Sequence, residues 1–195
     1  MNILILFLCL NLSWLKSINE QGAHLLFYLP LLVNLDEFLK APIKAKANKV
    51  FTFGYFSSLE NRKDPILLYS FQQGTQLLAY TRIIMRFVAE NKLNNVKVEI
   101  KNKDNKEHLA DFQKIDAYVS PSKRGEGFSI IPRKSMALGI PKIVTDNTAQ
   151  KTICNSRLVS CVESNIKKAN YESMPNDDDW GNYYDFRAED LAQAM

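Results

Sequence analysis

From residue 49 onward, short apolar runs alternate with helix-period repeats. Val50–Phe56 is β-branched and aromatic, which predicts a buried strand, whereas the apolar residues of about 65–91 recur at helical spacing and predict one or two helices. Further strands are predicted at 96–101, 115–119, 143–145 and 158–162, and further helices at 105–114, 129–138, 147–153 and 187–195. Strands that alternate with helices indicate an α/β fold with a parallel sheet and helices on both faces.

The helix of about 129–138 has the clearest boundaries. Ser129 is a candidate cap, Pro132 suits the first turn, and Gly139 and Pro141 end the helix. Farther along, residues 174–184 are acidic and rich in turn-forming residues.

Residues 1–39 differ from the rest because they carry only four charged residues. Their apolar runs, 3–10 and 25–33, are too short for a membrane span of roughly 20 residues. We favour two buried elements here; a membrane-associated patch and the stump of a missing N-terminal lobe remain alternatives. The lysine-rich stretch 40–49 predicts a linker, so we divide the chain into an N-terminal segment, 1–47, and a folded domain, 48–195.

The net charge of +4 suits an anionic ligand or a membrane surface. The hydrophobic fraction of 46% and the charged fraction of 24% are typical of a globular protein and exclude a disordered chain. Nucleic-acid binding is disfavoured, because the lysine runs at 40–49 and 97–106 have no interleaved aromatic residues on which bases could stack.

Three cysteines, Cys9, Cys154 and Cys161, form no CxxC unit and cannot all pair. We therefore expect reduced, buried thiols in an intracellular protein. His24 and His108 lie far apart in the sequence, so no metal site is expected.

The loop after the strand at 115–119 carries the candidate chemistry. Amide groups at the start of the following helix, together with the positive end of its dipole, form an anion site, and Lys123 and Arg124 add positive charge. Glu126 lies between two glycines, where a carboxylate can accept hydrogen bonds from hydroxyl groups. A site that donates hydrogen bonds to phosphate and accepts them from hydroxyl groups suits a nucleotide sugar. The simpler alternative is that this loop is a solvated turn.

The longer stretch 116–147 resembles the donor-binding C-terminal lobe of GT-B glycosyltransferases of the retaining family-4, or group 1, type, and the likeness extends over about 48–162. The matching residues are Asp116, Tyr118, Val119, Pro121, Ser122, Glu126, Gly127, Phe128, Met136, Ala137, Gly139, Ile140, Pro141, Ile143 and Thr145. The resemblance implies a Rossmann-like lobe that binds a nucleotide-sugar donor. It also implies that glycosyl transfer needs an acceptor lobe, which we expect a second polypeptide to supply.

The resemblance also implies roles for individual residues. Arg62 or Lys63 would hold the donor diphosphate, and the backbone amides of Gly127 and Phe128 would approach it. Glu126 matches the first glutamate of the family's E-x7-E signature, which contacts the donor sugar, and is the candidate catalytic residue.

The sequence departs from the family pattern at three places. Lys134 stands where the second glutamate of the signature would bind the ribose, Tyr55 follows Gly54 where an arginine is common, and the span 100–116 is short by a strand and a helix. A degenerate, non-catalytic remnant or interaction module is therefore the alternative function. We expect no metal and no cofactor, and a cytoplasmic location with peripheral association with the inner face of a membrane as a further option.

Overall fold

The structure is a computed structural model of the chain, and it describes residues 7–9, 20, 26–28, 32–56, 76–79, 95–98, 104–123, 126–169 and 181–195. The strands are β1 Phe7–Cys9, β2 Leu26–Tyr28, β3 Thr52–Tyr55, β4 Gln76–Ala79, β5 Val96–Val98, β6 Ala117–Ser120, β7 Lys142–Thr145, β8 Val159–Val162, β9 Asn165–Lys168 and β10 Asn182–Asp185. The helices are α1 Asp36–Lys40, α2 Asn105–Phe112, α3 Ile130–Ala137 and α4 Ala188–Ala194, with a 3₁₀-helix at Gln150–Ile153.

A six-stranded sheet in the order β5-β4-β3-β6-β7-β8 forms the centre of the fold, and all its strands are parallel. Its two ends therefore differ. We call the end at which the strands begin the amino edge and the end at which they finish the carboxyl edge. Ligands of open α/β sheets bind at the carboxyl edge.

The two faces of the sheet are both covered, as predicted. One face packs the cluster around Phe53 and Val119 against Leu191 of α4. The other packs Tyr118 against α1, α2 and α3, with a core of aromatic rings that includes Phe112. The Rossmann-like α/β fold is therefore confirmed.

Strand β4 corrects the prediction of helices over 65–91. It lies between β3 and β5, and strands inside a parallel sheet are apolar without alternation, so a run such as Leu77–Leu78 fits a buried strand as well as a helix. The rest of 57–94 lies outside the described residues.

The predicted linker 40–49 is irregular but packs on the domain. The side chain of Asp116 accepts hydrogen bonds from Lys44 Nζ at 2.7 Å and from the backbone amide of Asn48 at 2.9 Å. In α1 the ring of Phe38 is buried, while Leu39 is exposed. Strands β1 and β2 pair in parallel in a separate two-stranded sheet, and most of 1–31 lies outside the described residues. The domain boundary at 47/48 stays a prediction.

The cysteine prediction is wrong for two of the three residues. Cys154 and Cys161 form a disulfide, with their Cα atoms 5.7 Å apart. The turn between the 3₁₀-helix and β8 brings them together, which sequence spacing alone does not reveal.

Strand β10 was also missed. It pairs antiparallel with β9, and both strands are mostly polar and lie on the surface, so neither carries the apolar alternation by which a strand is recognised.

Candidate functional site

Buried hydrogen bonds at the carboxyl edge join the loop after β6 to the loop after β7. The Gln150 side chain donates to Ser120 O at 2.7 Å and accepts from the Thr145 hydroxyl at 2.8 Å. Asn147 Nδ2 donates to Ser122 O at 2.9 Å. All five residues are buried, so these contacts replace hydrogen bonds to water and fix the two loops together.

Glu126 lies where this framework meets the start of α3. Its backbone amide donates to Thr148 Oγ1 at 3.1 Å, and its carbonyl accepts from the Ala149 amide at 3.2 Å. The residue is buried. Its backbone is thus held at the carboxyl edge of the sheet.

Two strained residues flank this loop. Ser129 has φ 62° and Thr148 has φ 44°, and among the described residues they are the two non-glycine positions with positive φ. Such backbone costs on the order of 1–3 kcal/mol and persists where the surroundings enforce it, often at functional sites. Thr148 contacts Glu126 and Ser129 follows it by three residues, which supports a functional role for this loop.

The left-handed backbone of Ser129 also corrects the predicted helix cap. No side-chain capping hydrogen bond forms at this residue, because a capping serine needs extended backbone to reach the amides of the first turn. The first amides of α3, at Ile130 and Ile131, therefore have neither an intrahelical partner nor a side-chain cap. They can bind an anion, helped by the positive end of the helix dipole.

Arg133 fixes the geometry of this helix start. Its guanidinium donates to the carbonyls of Phe128 and Ser129, and to Thr152 Oγ1 at 2.9 Å. It also lies 4.1 Å from the centroid of the Phe128 ring. Arg133 therefore links α3, the Glu126 loop and the 3₁₀-helix.

Lys134 points toward α1 and α2. Its Nζ donates to Asn105 Oδ1 at 2.8 Å and lies 5.1 Å from the centroid of the Phe38 ring. Burial lowers the pKa of Lys134, and the carboxylate of Glu37 opposes this effect. Its predicted place beside the nucleotide stays a prediction, and a ligand there would compete with Asn105 for the ammonium group.

The other predicted cations differ in what the structure shows of them. Lys123 forms an ion pair with Asp185 at 3.0 Å and lies over the Phe186 ring, and Asp185 also pairs with Lys167, so this carboxylate is shared between two ammonium groups. Arg62, Lys63 and Arg124 lie outside the described residues. Gly127 and Phe128 stand directly before α3, next to Glu126.

Thr148, Asn147 and Gln150 were not predicted as site residues. The sequence feature that could have identified them is the run of polar residues directly after the buried strand β7. Residues that follow a strand of a parallel sheet lie at the carboxyl edge of that sheet. Their partners in the loop after β6 are more than twenty residues away in sequence, at separations of 22 to 30.

No protein family and no curated protein matches the chain. Solved structures do match. A glycosyltransferase from Rickettsia africae has a TM-score of 0.63 at 18% identity, with 86% of this chain and 45% of that chain covered. HepE of Anabaena, in complex with UDP and glucose, has a TM-score of 0.62 at 13% identity, with 76% and 46% covered. WaaG, a glycosyltransferase involved in lipopolysaccharide biosynthesis, has a TM-score of 0.61 at 14% identity, with 96% and 51% covered.

These matches establish the fold. The chain spans about half of the length of the structures that it matches, and its fold is that of one Rossmann-like lobe of GT-B glycosyltransferases.

Proposed function

We propose that this chain is the donor-binding lobe of a retaining group 1 glycosyltransferase of the family-4 type, and that it binds a nucleotide sugar. The observation that carries the proposal is the position of Glu126. The backbone of this residue is held by Thr148 and Ala149 beside the uncapped start of α3, at the carboxyl edge of a GT-B-type sheet.

Each part of the site has a proposed role in binding. The amides of Gly127 and Phe128 and the start of α3 bind the diphosphate, together with Arg62 or Lys63. The carboxylate of Glu126 accepts hydrogen bonds from sugar hydroxyls, which orients the anomeric carbon toward the acceptor.

Transfer requires a second surface that binds the acceptor and closes over the donor, because water must be excluded while the sugar is transferred. We propose that an acceptor lobe outside these 195 residues supplies this surface. We also propose peripheral membrane association; the cytoplasmic location expected above from reduced cysteines loses that support, because Cys154 and Cys161 form a disulfide. No helix among the described residues is long and apolar enough to cross a membrane.

Calorimetry with UDP-glucose, UDP and glucose tests donor binding. Glu126→Gln should weaken UDP-glucose binding by about tenfold and leave UDP binding nearly unchanged, because a lost hydrogen bond from a hydroxyl to a carboxylate costs on the order of 1–2 kcal/mol. Glu163→Gln, at an exposed glutamate, is the matched control. The proposal fails if neither UDP nor the UDP-sugar binds, or if Glu126→Gln weakens both equally.

The alternative, a degenerate lobe that no longer supports transfer, is favoured by Lys134. A lysine bound to Asn105 cannot accept the hydrogen bonds that a carboxylate in its place would accept from a ribose. Lys134→Glu should therefore tighten UDP-glucose binding by about tenfold if the ribose lies there, whereas Lys97→Glu, at an exposed lysine, should not. An unchanged or lower affinity would place Lys134 outside the nucleotide site.

A further inference from the structure

The amino edge of the sheet, opposite the candidate donor site, carries a segment of unusual composition. Residues 40–51, which we call the basic strap, have the sequence KAPIKAKANKVF, with four lysines and no acidic residue. The strap contains no strand or helix after α1 ends at Lys40, and it runs to the start of β3.

The strap leaves large apolar side chains in solvent. Ile43 is 70% exposed and Phe51 is 42% exposed, and Val50 beside Phe51 is exposed as well. Together with the sheet, Ile43, Lys46 and Phe51 line a pocket of about 130 Å³ whose other wall includes Ile140 and Pro141. Ile43, Lys46 and Phe51 therefore share one surface, and Lys49 and Val50 directly precede Phe51 in the sequence.

The charges of this surface are not balanced by the carboxylates beside it. Asp116 pairs with Lys44 at 2.7 Å, and Asp111 pairs with Lys114 at 2.9 Å. Lys46 and Lys49 are exposed and have no ion-pair partner among the described residues. The strap thus keeps a net positive charge next to exposed apolar groups.

We propose that the basic strap docks the protein on a bilayer that contains anionic phospholipid. Lys46 and Lys49 contact headgroup phosphates, while Ile43, Val50 and Phe51 enter the outer part of the acyl layer. Stable attachment to a membrane takes two signals, apolar insertion and electrostatic attraction, and the strap offers both within twelve residues. An acidic protein partner would satisfy the lysines but gives no reason for their interleaving with exposed apolar side chains.

This orientation is compatible with donor binding. The parallel sheet separates its two edges, so a strap that lies on the membrane leaves Glu126 and the start of α3 facing away from it. The inference specifies the surface for the peripheral association proposed above and does not depend on nucleotide-sugar binding.

Vesicle sedimentation tests the proposal. The protein should bind vesicles of equimolar phosphatidylcholine and phosphatidylglycerol, and bind vesicles of phosphatidylcholine alone far more weakly. Each lysine near an anionic surface contributes about a fivefold factor in binding, so Lys46→Glu combined with Lys49→Glu should lower it by about 25-fold or more. Ile43→Ser should also weaken binding.

The controls change exposed residues elsewhere. Lys106→Glu combined with Lys151→Glu makes the same charge change near the carboxyl edge, and Ile166→Ser changes an isoleucine that is 64% exposed on β9. Both controls should bind vesicles nearly as the unaltered protein does. Thermal unfolding checks that each variant is folded. If the variant with both lysines replaced by glutamate does not fold, Lys46→Gln combined with Lys49→Gln is used in its place.

Three outcomes would overturn the proposal: no binding to anionic vesicles, equal losses in strap and control variants, or a dimer that Ile43→Ser dissociates and that does not bind vesicles. Calorimetry with UDP-glucose on the strap variants separates the two proposals. A protein that binds UDP-glucose but no vesicles refutes only the docking surface.

Discussion

Lys142 gives a quantitative test of the packing of the central sheet. It is the first residue of β7 and is 1% exposed, and its ammonium group has no hydrogen-bond partner among the described residues. Its Cα pairs with that of Tyr118, so its side chain lies on the sheet face that packs against α1, α2 and α3. Replacing the ammonium group by an apolar one of similar length, Lys142→Met, should stabilise the protein.

The size of the effect follows from the pKa. Burial lowers the pKa of Lys142 from 10.5 to about 8. A tenfold change in proton affinity corresponds to about 1.4 kcal/mol, so the buried lysine costs on the order of 3 kcal/mol of unfolding free energy at pH 7. Between about pH 8 and 10.5 the unfolded chain binds more protons than the folded one, so stability rises with pH across this window.

Denaturant unfolding of the two proteins at several pH values measures this difference. Lys142→Met should unfold at higher denaturant concentration at pH 7, and its advantage should disappear as the pH approaches 10.5. Lys151→Met, at an exposed lysine, should show neither effect. Burial raises the pKa of the neighbouring Tyr118, but this group is present in both proteins and cancels in the difference. Equal stability at pH 7 would show that the ammonium group is solvated.

Two further predictions concern the backbone of the site and the amino edge. Ser129→Gly should raise the unfolding free energy by about 1 kcal/mol, because glycine adopts the left-handed backbone of this position without strain. Ser160→Gly in the strand β8 is the control and should lower the unfolding free energy. Calorimetric melting compares the two variants, and a destabilised Ser129→Gly would refute the φ of 62°. Asp116→Asn should lower the unfolding free energy by about 1–3 kcal/mol at pH 7. Burial raises the pKa of Asp116, but the hydrogen bonds from Lys44, Asn48 and Thr52 outweigh burial and leave the pKa below its ordinary value. The stability that this carboxylate contributes is fully present above pH 3.8 and is lost as the pH falls through its lowered pKa. Asp116→Asn should therefore lose less stability in acid than the unaltered protein does. Parallel acid-unfolding curves for the two proteins would contradict this.

The sequence was sufficient for elements whose boundaries carry local signals. Strand β6 ends before Pro121, and α3 ends at Ala137, two residues before Gly139. The φ of 68° at Gly139 allows the amide of Ile140 to donate a hydrogen bond back to the carbonyl of Ser135 at 3.0 Å. Strand β4 lacks such signals, because a run of four residues inside a helical pattern fits either structure.

The site was predictable only in part. Glu126 and its glycine-flanked loop are visible in the sequence because the loop follows a strand and precedes a helix. The contacts that hold it are not, since Thr148 and Asn147 bond to residues 22 and 25 positions away. The contact between Lys134 and Asn105, at a separation of 29, likewise depends on the packing of α3 against the preceding helix.

The hydrogen bonds that join the loops of the site come from side chains other than those of Glu126 and Lys134, the residues that we propose to contact the ligand. Gln150, Asn147 and Arg133 hold the loops through backbone carbonyls and hydroxyl groups, and none of these contacts involves the carboxylate of Glu126 or the ammonium of Lys134. A chain that lost transfer activity would therefore keep the same fold and the same strained loop. Likeness to GT-B structures cannot separate the active from the degenerate interpretation for this reason, whereas the opposite changes at Glu126 and Lys134 can, because each replaces a side chain that we propose to contact the nucleotide sugar.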